Sequence, residues 1–201
     1  MSQLETVTLE HLPPSHKIYL CLFKDVQNPD FLLTQLRSRN ADFEYAFIDS
    51  TSLISRLHLL AAVFRAVNGL LGDNLRTPNV HSEIVLSMSA SNNIAEAYQK
   101  FGITSGTKHV TIVKVVFPTD SVPVPPNADD VWAHLSENVE GTPLPLTDDN
   151  IAGDTDWAKM HKVYKMNGGP AARLDKMSLD DKVRRKEKET LALGGMALRG
   201  T

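Results

Sequence analysis

The sequence predicts a mixed α/β (α+β) fold. We expect one compact domain, residues 1–201, in which helices flank a small, mainly antiparallel sheet, with a C-terminal helical tail. Three observations support this. The chain has 201 residues, the size of one domain with appendages. Apolar residues make up 42% of it, enough for a sizeable core. In the first half, short β-forming runs alternate with segments of helical periodicity.

Four segments are predicted as strands. Residues 17–24 (KIYLCLFK) form a short apolar run rich in β-forming residues, and residues 108–117 form a longer β-branched run. Residues 44–48 (EYAFI) are a shorter candidate of the same kind. Residues 81–88 (HSEIVLSM) also fit a strand, because their apolar residues alternate.

Helices are predicted where apolar residues recur at three- and four-residue steps. The strongest spans Ser52–Leu71, and its apolar surface is wider than one stripe, so it is either buried on two sides or presents a face to a partner. Asn28 followed by Pro29 marks the start of an earlier helix. Asn93, with an acid three residues on, resembles a capping box for a helix that ends at Gly102.

The composition changes after residue 117. Six of the eleven prolines lie between Pro118 and Pro145. Residues 118–156 are therefore predicted as a Pro-rich irregular insert with one short amphipathic segment at residues 129–138.

The last third of the chain is predicted to contain a helix, a linker and a tail. Residues 154–166 form the helix candidate, and residues 167–177 the linker. Residues 178–201 form a charged and then apolar C-terminal helix or tail, capped at Ser178. Its basic run, residues 182–189, indicates a solvated helix face held by weak ion pairs; a nuclear-localisation or RNA-contact role is the alternative.

The motifs of several enzyme classes are absent from the sequence. It contains no GxxxxGK[ST] loop, no GxGxxG after a strand and no GxSxG elbow. Its single cysteine, Cys21, lies in the middle of a predicted strand and is interpreted as a buried structural thiol. His81 and Glu83 have the HxE spacing of zinc deaminases, but no PCxxC follows, so a half-buried histidine is the better interpretation. We expect no catalytic residues, no metal and no cofactor.

Charge and hydropathy restrict the kinds of partner and the cellular location that we expect for this protein. Lys and Arg number 21 and Asp and Glu 24, a net charge of −3, so any contact with nucleic acid must come from a local patch. No membrane span is predicted, because the most apolar stretch, residues 53–71, contains Arg56, His58 and Arg65. The first fourteen residues lack the basic and apolar regions of a signal peptide, so a cytosolic or nuclear location is expected.

One local site for anions is predicted at the helix that begins near Asn93. The preceding residues, 87–93, are rich in serine and asparagine, and the amides of a helix N-terminus favour anions. Arg76 and Lys100 add positive charge if the fold brings them near. The residues alone leave an alternative open, in which Asn93 only caps the helix and the serines are turn residues.

The run HSEIVLSMSASNNIAEAYQKFGI, residues 81–103, resembles the signature of the PRPK-binding protein (TPRKB-like) family, the small subunit of the KEOPS complex, also called EKC. Upstream, IYLCLFKDVQN and FIDSTSLISRLHLLAAVFRAV follow in the family's order and spacing, and the C-terminal ALRG resembles fungal members. The resemblance covers residues 18–116 well and the tail weakly. Its combined pattern, SxxNNIxEAxxxFGI with the upstream LFKDVxN, is specific.

The resemblance implies a mixed α/β protein without catalytic activity of its own. Such proteins bind the N-lobe of the complex's small atypical kinase/ATPase subunit and help to hold tRNA by its single-stranded 3′ CCA end. The ATPase-fold subunit of the complex transfers threonylcarbamoyl to the adenosine next to the anticodon. The resemblance further implies a location in nucleus and cytoplasm, links to telomeric chromatin and transcription, and no membrane partner.

Two sets of residues are the predicted contacts. For tRNA they are Arg76, Thr77, Ser91, Asn92, Asn93 and Lys100. Pro78 stands where family members commonly carry a basic residue, so Arg76 supplies the charge that remains there. For the kinase they are apolar residues of the long helix and the tail, namely Leu59, Val63, Leu191, Leu193, Met196 and Leu198. We expect the tail to order on docking, against the protein's own body or a partner, because its two glycines disfavour an isolated helix.

Three hypotheses therefore compete. A non-catalytic subunit that binds the kinase and presents tRNA predicts a stable complex with the kinase. A stand-alone RNA-end-binding module predicts tRNA affinity that survives without a partner and falls when the 3′ end is trimmed. A small enzyme with an unrecognised site predicts turnover by the isolated chain, which the missing motifs disfavour.

Overall fold

The computed structural model describes residues 3–168 and 180–198. Five strands form one antiparallel sheet in the order β1-β2-β4-β3, and β5 pairs with the same edge of β2 as β1 does. The strands are β1 (Glu5–Val7), β2 (Lys17–Lys24), β3 (Ala46–Asp49), β4 (Val110–Val116) and β5 (Thr142–Leu144). The predicted fold class is confirmed, since the sheet is small, antiparallel and flanked by helices.

The helices account for most of the remaining ordered structure. They are α1 (Pro29–Arg37), α2 (Arg56–Leu71), α3 (Val80–Ser87), α4 (Ile94–Phe101), α5 (Ala128–Asn138), α6 (Asp148–Ala152), α7 (Trp157–Val163) and α8 (Asp181–Ala197). Short 3₁₀ turns cover Ala41–Phe43 and Ser50–Ser52. Within the described ranges, none of these helices has the length and apolarity needed to cross a membrane.

Helices cover both faces of the sheet because side chains alternate along each strand. On β2, Ile18, Leu20 and Leu22 point into a core shared with α2, α3 and α8. The intervening residues, Cys21 among them, point into a second core beneath α1 and α5. Cys21 is fully buried, as predicted, and burial raises the pKa of its thiol to about 12. A thiol this hard to ionise is a packing residue, not a nucleophile.

The predicted strand at residues 81–88 is wrong, because this segment forms helix α3. Asn79 caps it, accepting a hydrogen bond from Ser82 N at 2.8 Å. Seven of its eight residues are buried, since α3 packs against α2, α4 and two strands. A helix covered on every side has no polar face, so its sequence lacks the helical hydropathy pattern and looks like a buried strand.

The other predicted elements of the first half form near the expected positions. Helix α2 begins four residues later than predicted, at Arg56, because Ser50–Ser52 forms a 3₁₀ turn and Ser55 provides the cap. Asn28 precedes α1 but does not cap it with its side chain. Instead its amide bonds Asn138 O and Glu140 N, which ties the end of α5 to the start of α1.

The stretch predicted as an irregular insert contains regular structure. The amphipathic segment becomes α5, capped by a complete capping box between Asn127 and Asp130. Strand β5 and helix α6 follow, neither of which was predicted. Proline at position 143 is tolerated because β5 is a short strand at the sheet edge. The helix predicted at residues 154–166 forms as α7. Of the predicted linker only residues 167 and 168 lie in the described ranges, and the predicted cap Ser178 lies outside them.

Helix α8 lies parallel to α2. Arg185 Nη2 donates to Ile54 O at 2.7 Å, and Arg65 donates to Met196 O further along both helices. The two residues of each pair are 131 positions apart in the sequence, so α2 and α8 run in the same direction with a constant register. The tail is thus docked against the protein's own body. Its charged run forms the ion pairs Asp181–Arg184 and Lys186–Glu189, but Lys188 and Glu189 are buried, so the run is not the solvated face that was predicted.

The two glycines of α8 offer a test of how tightly the tail packs. A Cβ at Gly194 meets no atom within 4 Å, whereas one at Gly195 lies 3.4 Å from Tyr164 Cδ1. We expect Gly194→Ala to raise the free energy of unfolding by about 0.5–1 kcal/mol, because alanine loses less backbone entropy in a helix. Gly195→Ala gains less, because its Cβ lies in close contact with the Tyr164 ring. Urea unfolding of both variants measures this, and a destabilised Gly194→Ala contradicts it.

Candidate functional site

The loop before α3, with the predicted tRNA contacts Arg76 and Thr77, is held by one buried carboxylate. Glu83 Oε2 accepts hydrogen bonds from Arg76 N at 2.9 Å, Thr77 N at 3.0 Å and Thr77 Oγ1 at 2.9 Å. The hydroxyl of Thr77 is therefore used internally, and its side chain is buried. Arg76 is exposed. The positive charge that this loop offers to a ligand comes from Arg76.

The second predicted cluster, at the start of α4, forms a hydrogen-bonded chain. Asn93 caps the helix by accepting from Glu96 N at 3.1 Å, as predicted. The Glu96 carboxylate does not close a capping box on Asn93; it accepts from Ser91 Oγ at 2.7 Å and pairs with Lys100. These bonds, first that from Lys100 and then that from Ser91, lower the pKa of Glu96. Asn92 is exposed beside the chain. Lys100 therefore has an acid partner within its own helix.

The two clusters lie at opposite ends of α3. Eight helical residues span about 12 Å, and α4 runs back along α3, since Tyr98 Oη donates to Ser82 Oγ at 2.9 Å. Both clusters nevertheless adjoin one groove of about 730 Å³, which we call the α1–α4 groove. Pro78 lines one part of it and Ile94 another, each next to a predicted contact.

The walls of the α1–α4 groove differ in character. Leu36, Arg37 and Arg39 line it from α1 and the following turn, while Ile94 and Tyr98 line it from α4. Both arginines are exposed. Cations beside apolar and aromatic surface are the combination that holds single-stranded nucleic acid, through phosphate contacts and base stacking. The groove thus has the chemistry for a short single-stranded segment.

Sequence reasoning missed three of these groups. Arg37 and Arg39 lie more than thirty residues before the predicted contacts, and only the fold brings α1 beside α4. Glu83 carried a signal that was available, since an acid inside an apolar run requires a partner when buried. In the sequence, Glu83 also forms the HxE spacing with His81, which does not indicate this structural role.

The predicted kinase contacts on α2 require correction. Leu59 and Val63 are fully buried in the protein's own core, so neither presents a surface to a partner. The apolar residues that α2 does expose are Leu57, Phe64 and Leu71, with 45%, 37% and 45% of their surface accessible. Their spacing of seven residues places them along one side of the helix over about 21 Å. We call these three residues the α2 stripe.

The predicted kinase contacts in the tail also include buried as well as exposed residues. Met196 is buried, and Leu191 and Leu193 pack against the core beneath α8. Leu198 alone among the four is largely exposed, at 69%. The tail therefore buries most of its apolar surface against the protein's own body, because α8 packs along α2.

Two buried histidines serve the fold. His81 Nε2 accepts a hydrogen bond from Val115 N at 3.0 Å. Val115 lies beyond Val113, the last residue of β4 that pairs with β3, so His81 takes the place of a strand partner there. His58 bonds the hydroxyl of Tyr164, which donates to Met88 O at 2.6 Å. His81 is thus more deeply buried than predicted. Among the described residues no three His, Cys, Asp or Glu side chains are grouped to hold a metal.

The same histidines make stability depend on pH. Burial lowers the pKa of His58 to about 4, and burial with the charge of Lys114 lowers that of His81 to about 3. In the unfolded chain both titrate near 6.5, so stability is complete above pH 6.5 and falls as the pH drops below it. We expect the free energy of unfolding to fall by about 2 kcal/mol between pH 6.5 and 5.5. Urea unfolding at each pH measures this, and a free energy of unfolding that does not change with pH contradicts it.

Comparison with known proteins places this chain among relatives of similar length. A sequence model described as "Kinase binding protein CGI-121" matches residues 23–200. A protein of Gibberella zeae is 52% identical over 197 residues, covering 98% of both chains, and one of Neurospora crassa is 48% identical over 206 residues, covering 98% of this chain and 99% of its own. A relative in Yarrowia lipolytica is 36% identical, covering 92% and 94%. All three are named EKC/KEOPS complex subunit CGI121.

Proposed function

The chain belongs to the CGI-121 family of kinase-binding proteins, and on this premise we propose that it is the small, non-catalytic subunit of an EKC/KEOPS complex. It binds the small atypical kinase/ATPase subunit of that complex. It also helps to recruit tRNA by its 3′ CCA end, so that the ATPase-fold subunit can transfer threonylcarbamoyl to the adenosine next to the anticodon. It acts in nucleus and cytoplasm, with links to telomere maintenance and transcription.

The α2 stripe is the main observation that supports the proposed binding of the kinase. Large apolar side chains exposed along one side of a helix are typical of surfaces that a partner covers. Leu57, Phe64 and Leu71 remain exposed although α2 is otherwise packed against α3 and α8. A stable interface buries about 1,600 Å² in total, so the kinase must cover neighbouring polar surface as well as the stripe.

The α1–α4 groove supports the tRNA part. A single-stranded RNA end is bound by phosphate contacts together with stacking of its bases. Arg37, Arg39 and Arg76 provide cations at or beside the groove, and Tyr98 and Ile94 provide flat or apolar surface. The groove also favours the second candidate function, a stand-alone module that binds RNA ends without a kinase.

Tagged purification from the native cell at moderate salt tests the proposed function. We expect a small atypical kinase and an ATPase-fold protein to co-elute in near-equal amounts. Recovery of the chain alone, or only with RNA, contradicts the assignment to the complex and favours the stand-alone module. Binding of intact and 3′-trimmed tRNA to the same preparation then tests the RNA end directly: trimming should weaken binding, and equal affinity for both contradicts recognition of the 3′ end.

A further inference from the structure

A second concavity, of about 350 Å³, lies between α4 and α7, and half of its lining residues are cations. Three of its six lining residues are lysines, Lys100, Lys159 and Lys162, and one is an acid, Asp156. We call it the basic pocket. Neither the α2 stripe nor the α1–α4 groove includes α7, so no role described above uses these α7 lysines.

Hydrogen bonds hold the Lys159 side chain and the backbone on both sides of the pocket in place. Lys159 Nζ donates to Ser52 Oγ at 2.6 Å, and Ser52 Oγ donates to Lys100 O at 2.7 Å. The start of α7 is fixed as well, since Asp156 N donates to Thr51 O at 2.8 Å. A cation that is already positioned loses less side-chain entropy when it binds an anion.

The pocket carries an excess of positive charge. Glu96 pairs with Lys100, and the Asp156 side chain caps α7 by accepting from Lys159 N. Lys162 is exposed just behind them. Lys165 is exposed too and lies near enough to contribute to the lowered pKa of Glu96, after the hydrogen bonds from Lys100 and Ser91. Four lysines thus face two carboxylates, on a chain whose net charge is −3.

We propose that the basic pocket binds backbone phosphates of the tRNA whose 3′ end occupies the α1–α4 groove, an inference that rests on the proposed function. Helix α4 separates the two sites. Tyr98 and Gln99 line the groove, whereas the next residue, Lys100, lines the pocket. The sites are therefore about one helix diameter, roughly 10 Å, apart. One nucleic-acid chain can reach both sites, and its regularly repeated phosphates match cations on the two sides of α4, arginines in the groove and lysines in the pocket.

Binding of intact tRNA to the full chain over a range of salt concentrations tests this. Lys162→Glu should lower the affinity about tenfold, equivalent to 1.4 kcal/mol. It should also reduce the slope of log affinity against log salt by about 1, the loss of one phosphate contact. Lys159→Gln should reduce the slope in the same direction. Lys17→Glu is the matched control, because Lys17 is exposed at the far end of β2 and the change in charge is identical.

Tests with 3′-trimmed tRNA separate the two proposals. If the pocket binds phosphates, trimming weakens Lys162→Glu and the original chain by the same factor, because the groove is intact in both. If trimming weakens both but Lys162→Glu binds intact tRNA like the original chain, the pocket is overturned and the proposed function stands. If Lys162→Glu loses kinase binding while its salt slope for tRNA is unchanged, the pocket is a protein contact and the proposed phosphate site is overturned. An equal loss of tRNA affinity in Lys17→Glu also overturns the phosphate site, because the effect is then one of overall charge. If the original chain binds no tRNA, alone or in the complex, both proposals are overturned.

Discussion

Replacement of Phe64 by aspartate is expected to lower the affinity for the small kinase subunit about 30-fold. Phe64 lies in the middle of the α2 stripe, and central aromatic residues of an interface typically contribute 2 kcal/mol or more when truncated. An aspartate in that position would in addition lose its hydration without gaining a partner. Titration calorimetry with the purified kinase subunit and the full chain measures the change.

Phe31 is the matched control for this experiment. It is 39% exposed, against 37% for Phe64, but it lies on α1, which packs against the other face of the sheet. Phe31→Asp should therefore leave kinase affinity within about twofold, and circular dichroism should show both variants folded. If the two variants bind the kinase subunit with equal affinity, or if Phe31→Asp binds it less tightly than Phe64→Asp, the α2 stripe is not the kinase face.

Removal of the Glu83 carboxylate should destabilise the protein and disturb the loop beside the groove. In Glu83→Ala two backbone donors, Arg76 N and Thr77 N, lose their acceptor, and the buried Thr77 hydroxyl keeps only its bond to Asn79 O. Hydrogen bonds to charged groups contribute about 1.5–3 kcal/mol each and are not additive. We expect the free energy of unfolding to fall by about 3–4 kcal/mol, measured by urea unfolding, and affinity for the tRNA 3′ end to fall with it.

Two further variants separate the structural effect from the contact with RNA. Arg76→Ala removes an exposed cation and leaves the Glu83 bonds to the backbone intact, so it should weaken tRNA binding with a stability change below about 0.5 kcal/mol. Glu83→Gln keeps one acceptor oxygen and should be less destabilised than Glu83→Ala. Unchanged stability in Glu83→Ala shows that the loop does not depend on this carboxylate.

Much of the fold was predictable because its strands and amphipathic helices follow simple hydropathy periods. Strand β2 has the predicted bounds, and α4 begins at its predicted cap, Asn93. Helix α3 was not predictable in this way, because burial on all sides removes the polar face that distinguishes a helix from a strand. Strand β5 is three residues long, too short for any periodicity, and forms only because the edge of β2 is present beside it.

The candidate site was predictable only where its residues are close in sequence. The order of Ser91, Asn93 and Glu96 already indicates a capped helix, and the structure keeps these residues together. On α2 the prediction selected Leu59 and Val63, whereas Leu57 and Phe64 are exposed. All four side chains are large and apolar, so only the packing of α2 against α3 and α8 decides which of them reach the surface.

The pairing of α2 with α8 affects the order in which the chain assembles. Partners 131 residues apart give the domain long-range contacts, which slow folding more than they reduce stability. During synthesis the residues of the sheet and of helices α1 to α7 are all translated before α8. The nascent protein therefore passes through a stage in which the core beneath Met196 is still open to water, and α8 closes it once that helix has been translated.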